Sequence, residues 1–242
     1  PEDPLVQETV RNWLQARVGG EGRTMLGAEQ YDFVLRTLEQ SVSAGKPWRI
    51  FANQVLMGSA TAPDYTQEPP LWLRWGMRLA GGQVWDFARQ TRFGVPMTLD
   101  TWDGFPVERE RLFEAARAAN ADFIVLTGDS HNFWTVDLKT DSGERVGVEF
   151  GVTSVTSPSD YEFVNAPSVD FGQMTLKANP HILHHSVYAK GYVLLSLTPE
   201  EAVADFVSVS TIKDTAFERE LDSRWRVTPA MGGSVPEVER IS

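Results

Sequence analysis

The run Phe123-Ile124-Val125-Leu126-Thr127, followed at once by Gly128-Asp129-Ser130-His131, constrains this chain more than any other stretch. The run is too short for a helix of its own and rich in β-branched and aromatic residues, which predicts a buried strand. It stops at a glycine and hands on to a carboxylate and an imidazole two residues apart. That places both groups on a sharp turn at the carboxyl edge of a sheet, where mixed α/β architectures carry ligands. An Asp and a His on such a loop can converge on one hard or borderline cation such as Fe, Mn, Zn or Ca. Four residues also admit a plainer reading, in which the Asp caps the turn and the His hydrogen-bonds nearby.

Composition narrows the classes. A chain of 242 residues can bury a full core, and no composition shift divides it, so one domain over residues 1–242 is expected. The net charge of -11 opposes non-specific nucleic-acid binding, because no basic surplus exists to displace counterions. Without cysteine there are no disulfides, thiolate zinc sites or Cys nucleophiles. No apolar run approaches the ~20 residues that span a bilayer. The opening Pro1-Glu2-Asp3-Pro4 reads neither as a signal peptide nor as an initiator, and suggests a cut in a longer chain.

Apolar residues at helical spacing predict helices from Val6 to Val18, which should pack on the core, and from about Gly27 to Gly45. Trp48 to Met57 reads as a strand containing two amides, Asn53 and Gln54. Residues Gly58 to Phe105 form an irregular, tryptophan-rich stretch suited to a lid or binding loop. Within it, Leu71 to Leu79 with its arginines suits either a phospholipid interface or a plug on one side of the core, and the plug is the expectation. Pro106 opens a helix with Leu112, Phe113, Ala116 and Ala119 on its apolar face. Alternation at Trp134, Val136 and Leu138 and at Val146, Val148 and Phe150, around Asp141-Ser142-Gly143, predicts a β-hairpin.

The hydroxyl-rich Gly151–Ser159 suits capping better than phosphate contact. Asn179-Pro180-His181-Ile182-Leu183-His184-His185 holds three of the four histidines. No regular element aims all three at one ion, so at most His181 belongs to a site, with His184 and His185 on the surface. Two strands, Gly191–Leu197 and Ala202–Val209, make the last hairpin, and the tail after Lys213 is given no chemistry. Neither GxGxxG nor GxxxxGK[ST] occurs.

Taken in order, TMLGAEQ, WRIFANQVLM, TWDGFPVERERL, FIVLTGDSHNFW, VGVEFGVTSVTSPS and NPHILHHSVYAKGYVLLSLT resemble the PhoD-like alkaline phosphatases of the metallophosphoesterase superfamily. The blocks cover about Thr24 to Ser210. The resemblance implies an α/β fold, the second half of a metallophosphoesterase-type αββα sandwich, with a mixed sheet and flanking helices. Its GDSH block implies Asp129 and His131 as metal ligands. WDGFPVER makes Asp103 a catalytic candidate, with Trp102 and Arg109 contacting substrate, and NPHILH adds His181 as catalytic and Asn179 as substrate-binding.

The resemblance further implies calcium and iron as metals, a phosphate ester as substrate, and a periplasmic or extracellular location. The motifs of the family's first half have no counterpart here. The chain is therefore expected to be a C-terminal half that a separate N-terminal half completes, leaving apolar surface open where that half would sit. The competing expectation is an inactive fragment or interaction domain of the same fold.

Overall fold

The computed structural model describes residues 3–229 and 237–242, so Pro1 and Glu2 of the opening tetrapeptide lie outside the described residues. Helices α1 (Pro4–Val18) and α2 (Gly27–Ser43) precede a short strand β1 (Ile50–Ala52). Helices α3 (Leu71–Ala80) and α4 (Gly82–Thr91), a 3-10 turn at Trp102–Gly104 and helix α5 (Pro106–Ala118) then lead to β2 (Phe123–Thr127). The hairpin of β3 (Phe133–Lys139) and β4 (Arg145–Gly151) follows, then α6 (Asp160–Val164), α7 (Phe171–Ala178) and β5 (Ile182–Ser186). The chain closes with β6 (Gly191–Leu197), β7 (Ala202–Val209), β8 (Arg219–Val227) and β9 (Val238–Arg240).

Two sheets result. The first has the order β1-β2-β4-β3-β5, with β2 parallel to both β1 and β4 and with β3 antiparallel to β4 and β5. The second, β6-β7-β8-β9, is antiparallel throughout. Strand β2 is buried on both faces, which is why its sequence is a continuous apolar run rather than an alternation. Phe123 and Val125 face a cluster with Leu38 of α2 and with Leu112, Phe113 and Ala116 of α5. Ile124, Phe133, Val148 and Phe150 face the second sheet and meet Ala204, Phe206 and Trp225. The layers therefore run helix, sheet, sheet, and each fully buried large apolar side chain stabilises them by about 1.5–3 kcal/mol.

Several expectations change. The strand predicted over Trp48–Met57 ends at Ala52, because after the Asn53 N–H bonds the Leu126 carbonyl (2.9 Å) the Asn53 amide donates to Val55 O (2.6 Å) and turns the chain off the sheet. Helix α1 forms as expected but does not pack, since Leu5, Val6 and Trp13 stay exposed and only Val18 is buried. The stretch Gly58–Phe105 is not irregular throughout, for it contains α3 and α4. Nor do its tryptophans all plug the core: Trp102 is fully buried, whereas Trp72 and Trp75 are more than half exposed. The charged tail contributes β8 and β9 to the second sheet, where Ser223, Trp225 and Val227 point inward at alternate positions. Residues 230–236 of that tail lie outside the described residues.

His185 is no surface residue. It is buried, stacked on Trp134 with centroids 3.5 Å apart, and its Nδ1 lies 3.2 Å from Phe133 O, while its Nε2 has no partner. Half-buried His184 meets the Asp222 carboxylate at 2.7 Å and so ties β5 of the first sheet to β8 of the second.

Burial pushes the His185 imidazole down to about 3. Burial likewise pushes the Glu149 carboxyl, in the middle of β4, up to about 7, against the pull of the Met57 and Gly58 amides that it accepts. The two act in opposite directions. Folded Glu149 holds a proton that the unfolded chain releases between 4.5 and about 7, so its contribution falls as pH rises through that window. Folded His185 lacks a proton that the unfolded chain binds between about 3 and 6.5, so its contribution falls as pH drops. Relative to wild type, Glu149→Gln is expected to tilt urea-unfolding stability upward with pH between 4.5 and 6.5, and His185→Phe to tilt it downward. Each tilt approaches about 1.4 kcal/mol per pH unit. Equal slopes in all three proteins would refute the assignment.

Candidate active site

At the end of β2 the chain makes a strained turn. Ser130 N–H bonds Gly128 O at 2.7 Å across Asp129, whose φ is +64°, which is a γ-turn of the rare positive-φ kind. His131 follows with φ +57°. Two non-glycine residues in the left-handed region within three positions hold about 1–3 kcal/mol each of backbone strain, which persists only where surrounding contacts over-determine it. Those contacts are present. The His131 carbonyl meets the Asn132 amide at 3.1 Å and the Thr153 hydroxyl at 2.9 Å, and Asn132 also donates to Val187 O. The Ser130 hydroxyl accepts from the Trp134 indole at 2.9 Å, which fixes the residue between the two strained ones.

The His131 ring is oriented too. Its Nδ1 lies 2.8 Å from Pro158 O, so that nitrogen donates to the carbonyl, and in the neutral tautomer that this selects, Nε2 keeps the lone pair. Asp129 is exposed and its carboxylate has no hydrogen-bond partner among the described residues. One carboxylate and one imidazole with its far nitrogen anchored suit part of the shell of a hard or borderline cation. They do not make a whole one: among the described residues no three His, Cys, Asp or Glu side chains converge, and calcium takes roughly six to eight oxygen ligands.

The other sequence candidates meet at a second place, the segment Met57–Thr61. Asp103 accepts Ala60 N–H at 2.9 Å through Oδ2 and the Arg109 guanidinium at 2.7 Å through Oδ1, and Arg109 also donates to Met57 O at 3.2 Å. Asn179 spans Thr61 from both sides, accepting its N–H at 2.8 Å and donating to its carbonyl at 2.9 Å. His181 Nε2 lies 2.8 Å from Ser59 O. Trp102 sits in the core with no exposure and supports the segment by packing. Asp103, Arg109, Asn179 and His181 thus spend polar atoms on backbone, and no hydrogen bond or ion pair joins them to Asp129 or His131.

The segment has a further partner that the sequence reading passed over. Glu149 Oε1 and Oε2 accept Met57 N–H and Gly58 N–H at 2.8 and 2.7 Å in the fully buried core. Gly58 is required there, since a Cβ would lie 2.6 Å from Val136 Cγ1. The signal was a lone carboxylate inside the apolar Val146–Gly151, and a buried acid in a strand must have donors waiting. The hydroxyls of Thr153 and Ser159 go to backbone carbonyls, in keeping with capping rather than phosphate contact.

Two stability outcomes follow from this geometry. Asp129→Gly removes left-handed strain and is expected to raise unfolding stability by about 1 kcal/mol, whereas Asp129→Ala gives no gain; a Gly variant no more stable than the Ala variant would disprove the strain. Asp103→Ala strands the Arg109 guanidinium and Ala60 N–H together and should cost about 3 kcal/mol in the same urea titration. A cost below about 1 kcal/mol would place Asp103 outside the clamp on Met57–Thr61.

Comparison with known proteins identifies the family and the fold. The family model described as PhoD-like phosphatase matches residues 5–206. Alkaline phosphatase D of Bacillus subtilis (strain 168) is 28% identical over 189 residues, which are 76% of this chain and 26% of that protein. A solved structure described as "Structure of PhoD" superposes with a TM-score of 0.64 at 23% identity, over 91% of this chain and 36% of that one. That likeness speaks to the fold, a mixed α/β arrangement of two sheets with flanking helices of the metallophosphoesterase sandwich type. The chain spans about a quarter of the curated relative and about a third of the solved one. The family match covers most of the sequence, and the chain belongs to the PhoD-like phosphatase family.

Proposed function

We infer that this chain is the C-terminal half of a metal-dependent phosphoester hydrolase and works when an N-terminal half completes it. The observation that carries the reading is the strained, fully braced Asp129-Ser130-His131 turn at the carboxyl end of β2. A held imidazole two residues from a carboxylate without a hydrogen-bond partner is a donor pair suited to a cation. Bound metal supplies Lewis-acid stabilisation of phosphoryl oxygen and a lowered pKa for water. In this reading Asp129 and His131 hold the ion, by family resemblance calcium or iron. Asp103, Arg109, Asn179 and His181 act one step back, by fixing the Met57–Thr61 segment along the same face of the sheet as Glu149.

The need for a second half is supported by what the fold leaves open. β1 is an edge strand with a free side, α1 is largely exposed, and among the described residues no group of three His, Cys, Asp or Glu forms. The substrate class is a phosphate mono- or diester, and a periplasmic or extracellular location is taken from the resemblance. No helix among the described residues is long and apolar enough to cross a membrane.

Native mass spectrometry of the purified material reports partner and metal together. A second polypeptide with metal mass is expected, and Asp129→Ala and His131→Ala should each lower metal occupancy by roughly 10-fold or more. A bare chain, metal-free even after iron and calcium are supplied with an added N-terminal half, would instead establish an inactive fragment.

A further inference from the structure

The α3–α4 hairpin carries apolar surface on two opposite sides, and only one is used. Leu73 and Ala88 turn inward to Tyr65, Tyr161 and Phe171 in a separate cluster. On α3 the positions 71, 72, 75 and 79 fall within about 100° of arc, and all four stay open to solvent, Leu71 65%, Trp72 55%, Trp75 58% and Leu79 83% exposed. A stripe of two tryptophans and two leucines on one helix face is too large to be incidental.

Charge says what covers it. In a chain of net charge -11, residues 71–92 hold four arginines, Arg74, Arg78, Arg89 and Arg92, against the single acid Asp86. Arg78 lies over the Trp75 and Trp85 rings at 5.7 and 5.9 Å. Arg78, Arg89 and Arg92 make no ion pair among the described residues, and Arg89 and Arg92 line an open cleft of about 310 Å³ with Asp86, Gln90 and Phe93. A second copy of the chain, meeting this face with its own, would bring like charges together. The cluster beneath the hairpin includes nothing of α1 or β1, where a completing half is proposed to join.

We propose that the α3–α4 hairpin is a docking surface for an anionic phospholipid bilayer, with Leu71, Trp72, Trp75 and Leu79 entering the interfacial zone. Arg78, Arg89 and Arg92 meet headgroup phosphates, whereas Arg74 donates to Thr66 O. Tryptophan and arginine together suit that boundary, because the ring is apolar with a polar edge and the guanidinium binds phosphate through several donors. The surface is independent of the proposed hydrolysis, and its test involves no turnover.

The intact 242-residue chain is sedimented with vesicles of phosphatidylglycerol and phosphatidylcholine, and separately with phosphatidylcholine alone. Co-sedimentation with the anionic vesicles and a blue-shifted tryptophan emission are expected. Trp72→Ser with Trp75→Ser should lower partitioning by roughly 10-fold or more, and Arg89→Gln with Arg92→Gln should remove most of the preference for anionic lipid. Both pairs are solvent-facing or half-exposed, and circular dichroism verifies that they fold. Absence of binding to anionic vesicles, or undiminished binding by the Trp pair, overturns the proposal. So does a gel-filtration shift from dimer to monomer in the Trp pair, which would make the stripe a self-interface.

Discussion

A carboxylate in the dry interior, Glu149, accepts two consecutive backbone N–H groups, those of Met57 and Gly58, and the helical face of the first sheet depends on that contact. The chain leaves β1 after three residues and crosses the sheet with no ladder to satisfy its amides. Each unpaired buried amide would cost about 1–3 kcal/mol. Side chains replace the ladder: Glu149 from β4, Asp103 from the 3-10 turn and Arg109 from the α5 that follows it, Asn179 and His181 from the α7–β5 junction. The segment is thus a seam on which three otherwise separate parts of the chain are registered. The cost is a buried acid pushed up to about 7, tolerable because both oxygens have donors.

This seam explains which parts of the fold were legible in sequence. β2 and the β3–β4 hairpin were readable because their signal is local: a short apolar run bounded by turn residues, and a period of two around Gly143, which needs its φ of +87°. Helix α5 announced itself through Pro106 at its first turn. The seam's bonds join residues separated by 43 positions for Ala60 and Asp103 and by 122 for Ser59 and His181, and no periodicity encodes such pairs. β8 was hidden for another reason. Its outward positions are charged, Arg224 and Arg226 pairing with Asp205 and Glu201, so the strand reads as a polar tail unless its inward Ser223, Trp225 and Val227 are taken alone.

The site was legible to the same degree. Gly128-Asp129-Ser130-His131 at a strand's end offered the proposed donors, but not the brace around them. Pro158, Thr153 and Asn132 are ordinary loop residues in sequence, and only folding sets them against the His131 ring and carbonyl. With α3 the sequence carried both answers at once, since a helix with apolar residues on two sides does not say which side is inward. Tertiary structure chose Leu73 and Met77, and left the tryptophans outside.

Strain and bracing at the Asp129 turn are two sides of one arrangement. A chain free to relax would return Asp129 and His131 to negative φ, at a gain of order 1–3 kcal/mol each. It does not, because Trp134, Asn132, Thr153 and the Pro158 carbonyl each hold one atom of the turn, Trp134 from β3 and the other three from loops that are themselves tied down, Asn132 to Val187 O and Thr153 to Ala189 O. Trp134 is itself stacked on buried His185, so the donor pair is referenced through one indole to the deepest part of the core. Under the proposed function, a turn held in place this way loses little further conformational entropy on binding an ion. Among the described residues no third His, Cys, Asp or Glu joins the pair, so the proposed metal site and the open edge of β1 pose one problem.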